Sequence, residues 1–181
     1  LVVVIGLAVS LLLWLSDSVF QVLEPYLVIL NSLPKSALAP LLIVWLGANS
    51  RTIIVAGMSV AIFGTILNLY TGFTETSREK IRLIYTLHGT KKDALTKVVL
   101  PSTVPMIISI MKVNIGLCLV GVVIGEFIGA RNGLGYLIIY GSQVFQLDLV
   151  ILSILILCLM AMLLYGGVTA AEKLYHRRQH A

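Results

Sequence analysis

Apolar positions along this chain come in long unbroken runs rather than in alternation with polar ones. Such runs read as membrane-crossing helices, because a backbone in hydrocarbon must bond its amides within its own segment and about 20 apolar residues cover the bilayer core. Four to five runs can be drawn, over residues 1–15, 19–46, 52–71, 106–128 and 147–165. The second is interrupted by Glu24, Pro25, Pro34, Lys35 and Pro40 and is expected to bend or break, since proline lacks an amide and collides with the preceding turn. Glycines cluster between the fourth and fifth runs, over 129–135, and predict a turn. The first run opens directly at Leu1 without the order of a signal peptide, so natural sequence is expected to precede it.

One long polar segment, 74–101, changes the periodicity from lipid-embedded to amphipathic and predicts two short helices. Thr76 and Glu79 have capping-box spacing. Ile81, Ile84, Tyr85 and His88 then fall on one helical stripe. Gly89 suits the left-handed position that ends a helix, and Thr90 can cap the next one with Asp93 in its first turn. Ala94, Leu95, Val98 and Val99 form the apolar side of the second helix, which Pro101 and Pro105 are expected to close before the fourth span. The segment is either a solvated connection or a rigid docking surface for a soluble partner.

Composition supports a single membrane domain over 1–181. The chain is 59% hydrophobic and 12% charged, with mean hydropathy +1.02. Six cations lie between 73 and 99 (Arg78, Lys80, Arg82, Lys91, Lys92, Lys97), and the tail adds Lys173, Arg177 and Arg178. The opposite connections hold only Arg51 and Arg131. Basic residues near span ends stay in the cytoplasm, which places segment 74–101 and the C-terminus on that side. Cations set between spans give no reason to expect nucleic acid, despite the net charge of +5.

No catalytic constellation stands out. Cys118 and Cys158 form no metal motif, His88, His176 and His180 are dispersed, and no G-x-x-x-x-G-K-[ST] phosphate loop occurs, so neither enzymatic activity nor a cofactor is expected. Polar groups within spans are costly and invite explanation. Lys112 either snorkels to the headgroups or faces a pore. Glu126 lies 14 positions further on, too far to pair with it, and either bonds the amides of 129–135 or lines a gate. Asn68, Ser109 and Asn114 either bond neighbouring helices or line a translocation path. Gly57, Gly64, Gly116, Gly121 and Gly125 are expected to permit close helix approach. An ion-gradient-driven secondary transporter is the rival reading, but it needs charged relays near mid-membrane, and Lys112 and Glu126 lie toward opposite ends of their span.

The motifs resemble a known family, the inner-membrane permease subunits of binding-protein-dependent ABC importers, in the nitrate, sulfonate and taurine branch. Gly89-Thr-Lys-Lys-Asp-Ala-Leu-Thr-Lys-Val-Val-Leu-Pro101 resembles the second half of the family's cytoplasmic loop signature. The stretch 33–47, Leu33-Pro34 through Trp45-Leu-Gly47, and the stretch 125–136, Gly125-Glu126 through Gly135-Tyr136, are similar to segments of that branch. The family's Glu-Ala-Ala is replaced here by Leu83-Ile84-Tyr85, and the turn over 17–24 is acidic rather than basic.

The resemblance implies an all-α polytopic bundle, the core of a six-span type I permease whose first span lies before Leu1, with two short cytoplasmic coupling helices. It implies contact with an ATP-binding subunit through Leu83, Ile84, Tyr85, His88, Gly89, Thr90, Asp93, Leu95, Leu100 and Pro101. The other implied partners are a second permease subunit, most commonly an identical copy, and an extracytoplasmic substrate-binding protein. The implied substrates are small organic or inorganic anions and thiamine-precursor pyrimidines.

Overall fold

The computed structural model describes residues 1–76 and 78–179, with the side chains of Arg78 and of 174–179 left aside. Helix follows helix: α1 (Val2–Leu15), α2 (Asp17–Ser32), α3 (Lys35–Leu46), α4 (Ser50–Thr74), α5 (Arg78–Thr86), α6 (Lys91–Ala94), a π-helical turn (Leu95–Val99), α7 (Leu100–Gly129), α8 (Leu134–Gln143) and α9 (Leu147–Gln179). Among the described residues there is no strand, so the chain has the all-α polytopic architecture that its apolar runs dictate.

Among the described residues three stretches are long and apolar enough to cross a membrane: α4, the continuous helix Lys91–Gly129, and Leu147–Lys173. The broken pair α2 and α3 makes a fourth if it counts as one span, and α1, at 14 residues, is shorter than a full crossing. The break falls at 33–34. Pro34 precedes α3 at φ −65° and ψ 105° and drives the residue before it out of the helical region. Pro25 and Pro40 sit inside α2 and α3 without ending them.

Two expectations need correction. Pro101 and Pro105 do not close a helix, because the backbone runs helically from Lys91 to Gly129. The π-helical turn just ahead of Pro101 widens the backbone where the ring would otherwise meet the Lys97 carbonyl. The Ser102 and Thr103 hydroxyls both donate to the Val99 carbonyl at 2.9 Å, so the altered winding leaves that acceptor satisfied. Second, the glycine-rich stretch contains more than a turn, since helix α8 begins at Leu134 directly after Gly133.

The chain divides into two compact units. The first comprises Leu1–Ser32 and Ile62–Met111. Its core gathers Trp14 of α1, Leu69 and Phe73 of α4, Leu95 and Val99 of the π-helical turn, and Ile110 of α7. Ser10 Oγ, fully buried, donates to the Ile66 carbonyl at 2.9 Å and ties α1 to α4 where water cannot compete.

The second unit comprises Leu33–Ala61 and the chain from Lys112 onward. Here α4 and α7 approach so closely that a Cβ added at Gly121 would lie 2.6 Å from the Gly57 Cα. A Cβ at Gly125 would lie 3.2 Å from the Ile53 Cα. The expected close approach therefore holds at Gly57, Gly121 and Gly125. Gly116 is different, with no described atom within 4 Å of its Cβ position.

Candidate functional site

Helix α5 ends in a Schellman motif. The His88 amide donates to the Tyr85 carbonyl at 3.0 Å and the Gly89 amide to the Ile84 carbonyl at 2.9 Å. The left-handed residue is His88, at φ 60°, and not Gly89 as its type suggested. Gly89 is needed for space instead. A Cβ there would lie 2.5 Å from Ile84 Cγ2 and 2.8 Å from the Ile84 carbonyl oxygen, the very acceptor of its own amide. At the other end of α5, the box from Thr76 to Glu79 spans Ser77, which lies outside the described residues. Thr76 Oγ1 donates to the Gly72 carbonyl at 3.2 Å.

The turn then enters α6 through a complete capping box. The Asp93 amide donates to Thr90 Oγ1 at 3.3 Å, and the Thr90 amide donates to Asp93 Oδ2 at 2.9 Å. The Thr90 hydroxyl also donates to Oδ2 at 2.6 Å, and Lys97 Nζ lies 3.2 Å from the other carboxylate oxygen. Hydrogen bonding from Thr90, hydroxyl first and amide second, together with Lys97, pulls the Asp93 carboxyl down to about 2. Two short helices thus meet at a turn held by backbone and charge-assisted bonds.

The structure sorts the residues of this segment into inward and outward groups. Leu95 and Val99 are buried in the core of the first unit, and Ala94 is fully buried. Ile81 and Leu100 pack against that core at half-buried positions. Ile84 is half-buried against the turn. Outward lie Leu83 at 60% exposure, Tyr85 at 47% and Leu87 at 71%, with His88, Thr90 and Pro101 also exposed. Leu95 is therefore a packing residue, closed to any partner.

Leu87 escaped the sequence reading, which followed the stripe Ile81, Ile84, Tyr85 and His88. Its signal was the spacing of four from Leu83 on the opposite face. Lys80, Arg82 and Lys92 are exposed in the same segment, as is Glu79, so its exposed side chains are apolar and charged, with cations in excess.

The polar groups of the spans fall into different settings. In the first unit, Asn68 of α4 and Ser109 of α7 are exposed on their helices. In the second, Asn114 of α7 is buried and Glu126 is half-buried, its Oε2 accepting from the Gly135 amide at 2.6 Å. Lys112 forms an ion pair with Glu172 of α9, and its ammonium also lies 5.7 Å from the centre of the Tyr165 ring. Glu172 was missed, although a lysine inside a span demands a counter-charge and the last span carries this single glutamate near its end. The tail residues His176, Arg177, Arg178 and His180 lie outside the described side chains. Among the described residues no group of three or more His, Cys, Asp or Glu could hold a metal.

Comparison with known proteins bears on the whole chain. Residues 2–179 match the family described as binding-protein-dependent transport system inner membrane component. A probable ABC transporter permease protein of Haemophilus influenzae is 33% identical over 172 residues, covering 95% of this chain and 69% of that protein. The formylaminopyrimidine transport permease ThiX of Halalkalibacterium halodurans is 29% identical with the same coverage. The taurine transport permease TauC of Escherichia coli is 26% identical over 94% of this chain and 62% of its own length.

Proposed function

Because the chain belongs to the family of binding-protein-dependent transport system inner membrane components, we propose that α5 and its turn are the surface on which an ATPase subunit acts. The chain is the permease component of an ABC importer, a membrane transport subunit working with a substrate-binding protein and an ATPase partner. That membership displaces the secondary-transporter alternative.

One observation carries the docking reading. Helix α5 lies between two long apolar spans, turns Ile81 inward, and directs Leu83 and Leu87 outward at 60% and 71% exposure in a segment whose exposed charges are mostly cations. A short apolar knob on a stiff helical turn fits a groove on a soluble partner. The ATPase subunit contacts Leu83, Tyr85, Leu87, His88, Thr90 and the exposed Pro101, while Ile84, Gly89, Asp93 and Leu100 hold the surface in shape. The helix from Lys91 to Gly129 is continuous over 39 residues, roughly 58 Å at ~1.5 Å per residue, so the segment leads directly into the span that follows it.

Segment 74–101 and the C-terminus face the cytoplasm, as the cations at 78–97 support. The translocation path forms between this chain and a second identical copy. Asn68 and Ser109, polar and exposed on apolar helices, line it, while Asn114 and Glu126 stiffen the helix beside it. The solute is a small organic or anionic molecule of the kind the relatives' names carry, a formylaminopyrimidine or taurine. The test is co-purification of the full-length permease with its ATPase. Leu83→Asp with Leu87→Asp is expected to abolish ATPase association while leaving the permease in the membrane, and undiminished association sinks the docking assignment.

A further inference from the structure

Helix α1 ends at Leu15 with no basic residue in its last turn, and Ser16, extended at φ −136° and ψ 98°, separates it from α2. The last carbonyls of a helix are unpaired and carry its negative pole, which favours a cation there. The cation comes from 76 positions further along the chain: Lys91 Nζ, on the first residue of α6, donates to the Leu15 carbonyl at 3.2 Å. The same ammonium lies 3.9 Å from Asp17 Oδ1, on the first residue of α2, and 5.3 Å from the centre of the Trp14 ring. Trp14 is itself buried in the cluster that holds Leu95 and Val99.

We infer that Lys91 is a positioning residue that fastens the coupling segment to the junction of α1 and α2, so that movement of α5 and α6 reaches these helices as well as the spans flanking the segment. This rests on the ATPase-docking reading above. Covalently, segment 74–101 leads only into α4 and α7. Lys91 adds a third connection, at the single extended residue where α1 and α2 can change their relative angle. An exposed pair such as Lys91 with Asp17 holds little by itself. Here one ammonium caps a helix end, faces an aspartate at the start of the next helix and covers a buried indole, and these three roles converge on the same joint.

The experiment uses the full transporter reconstituted in vesicles with its ATPase and binding protein, comparing wild type with Lys91→Met, Lys91→Arg and Lys91→Gln. Lys91→Met is expected to keep the ATPase bound and hydrolysing ATP, while uptake per ATP hydrolysed falls by about fivefold or more, the lower end of ordinary coupling strengths. Lys91→Arg, which restores a cation over Trp14 and the Leu15 carbonyl, is expected to recover most of the ratio. A purely structural role would lower assembly, hydrolysis and uptake together and would leave the ratio unchanged.

A wild-type ratio in Lys91→Met overturns the inference. Should that variant not accumulate in the membrane, Lys91→Gln, which is polar like lysine but carries no charge to meet Asp17, the helix pole or the indole, decides in its place: a lowered ratio supports the inference and a wild-type ratio overturns it. Failure of the ATPase to associate with the wild-type permease is a different outcome, which removes the docking reading and this inference with it.

Discussion

The carboxylate of Glu126 in α7 is held by the backbone of the first turn of α8, with Oε2 2.6 Å from the Gly135 amide. The surrounding glycines make room for it. A Cβ at Gly133 would lie 2.5 Å from the Glu126 carboxyl carbon, and one at Gly135 would lie 2.9 Å from Oε2. Gly133 also stands at φ 116° and ψ 165°, a region that only glycine occupies without strain. Gly133→Ala is therefore expected to destabilise the protein by about 1–3 kcal/mol or more, read as a lowered midpoint of thermal unfolding in detergent. An unchanged midpoint would show that the loop does not shape the site of Glu126.

At the turn between α5 and α6 the two neighbours His88 and Gly89 are expected to respond in opposite directions. His88→Gly removes the side chain from a left-handed residue and is expected to leave stability unchanged or raise it by up to about 1 kcal/mol. Gly89→Val places a branched side chain against the Ile84 carbonyl and is expected to abolish uptake with membrane insertion intact. Thermal midpoints and membrane levels of the two variants, with uptake for Gly89→Val, check this. A lowered midpoint in His88→Gly together with undiminished uptake in Gly89→Val would reverse the assignment.

Gly121 and Gly116 lie on the same helix and separate close packing from mere composition. Gly121→Ala is expected to cost about 1–3 kcal/mol, because the Cβ would meet the Gly57 Cα and the Ala56 carbonyl, neither of which can rotate away. Gly116→Ala meets no described atom and is expected to change stability by less than about 1 kcal/mol. Thermal midpoints of the two variants, measured side by side, decide whether α4 and α7 are held at the distance described.

Asp93 titrates near 2, below its ordinary value of 3.8, so its carboxylate stabilises the folded turn above that ordinary value. The contribution is lost as the pH falls from 3.8 toward 2, where folded and unfolded forms both become protonated. Asp93→Asn is expected to lower the melting midpoint at neutral pH by an amount that stays constant down to about pH 5 and shrinks only in stronger acid. A difference that vanishes already at mildly acidic pH would contradict the capping geometry.

Lys112 and Glu172 are expected to behave as a unit. Removing either partner alone leaves a charge within an apolar span, so Lys112→Leu and Glu172→Leu should each lower the melting midpoint. The double variant replaces the pair with apolar side chains and should recover much of the loss. Strictly additive losses would mean that the two groups do not depend on one another.

Pattern and tertiary structure contributed at different levels. Apolar runs dictated the spans around 52–71 and 147–165 and an interruption somewhere between Glu24 and Pro40, because in hydrocarbon the backbone has no alternative to helix and proline no amide to offer. Only the structure put the break at Pro34 and left Pro25 and Pro40 inside helices. The start of α6 at Thr90, with Asp93 in its first turn, was equally legible, since a helix cap is a bond between side chain and backbone only three residues apart. Glu172 was not, because its partner lies 60 positions away and no local spacing reports a contact of that range.

The same holds for Lys91 at the end of α1 and for the roles of His88 and Gly89. Residue type favoured glycine in the left-handed place, but the Schellman hydrogen bonds set the histidine there and left the glycine pressed against Ile84. Sequence by itself determined the long apolar helices, but neither α8 nor the helical run through Pro101 and Pro105. Which side of α5 faces outward, which glycines touch another helix and which charges meet were decided only by tertiary packing, since these depend on atoms that the chain brings together from distant positions.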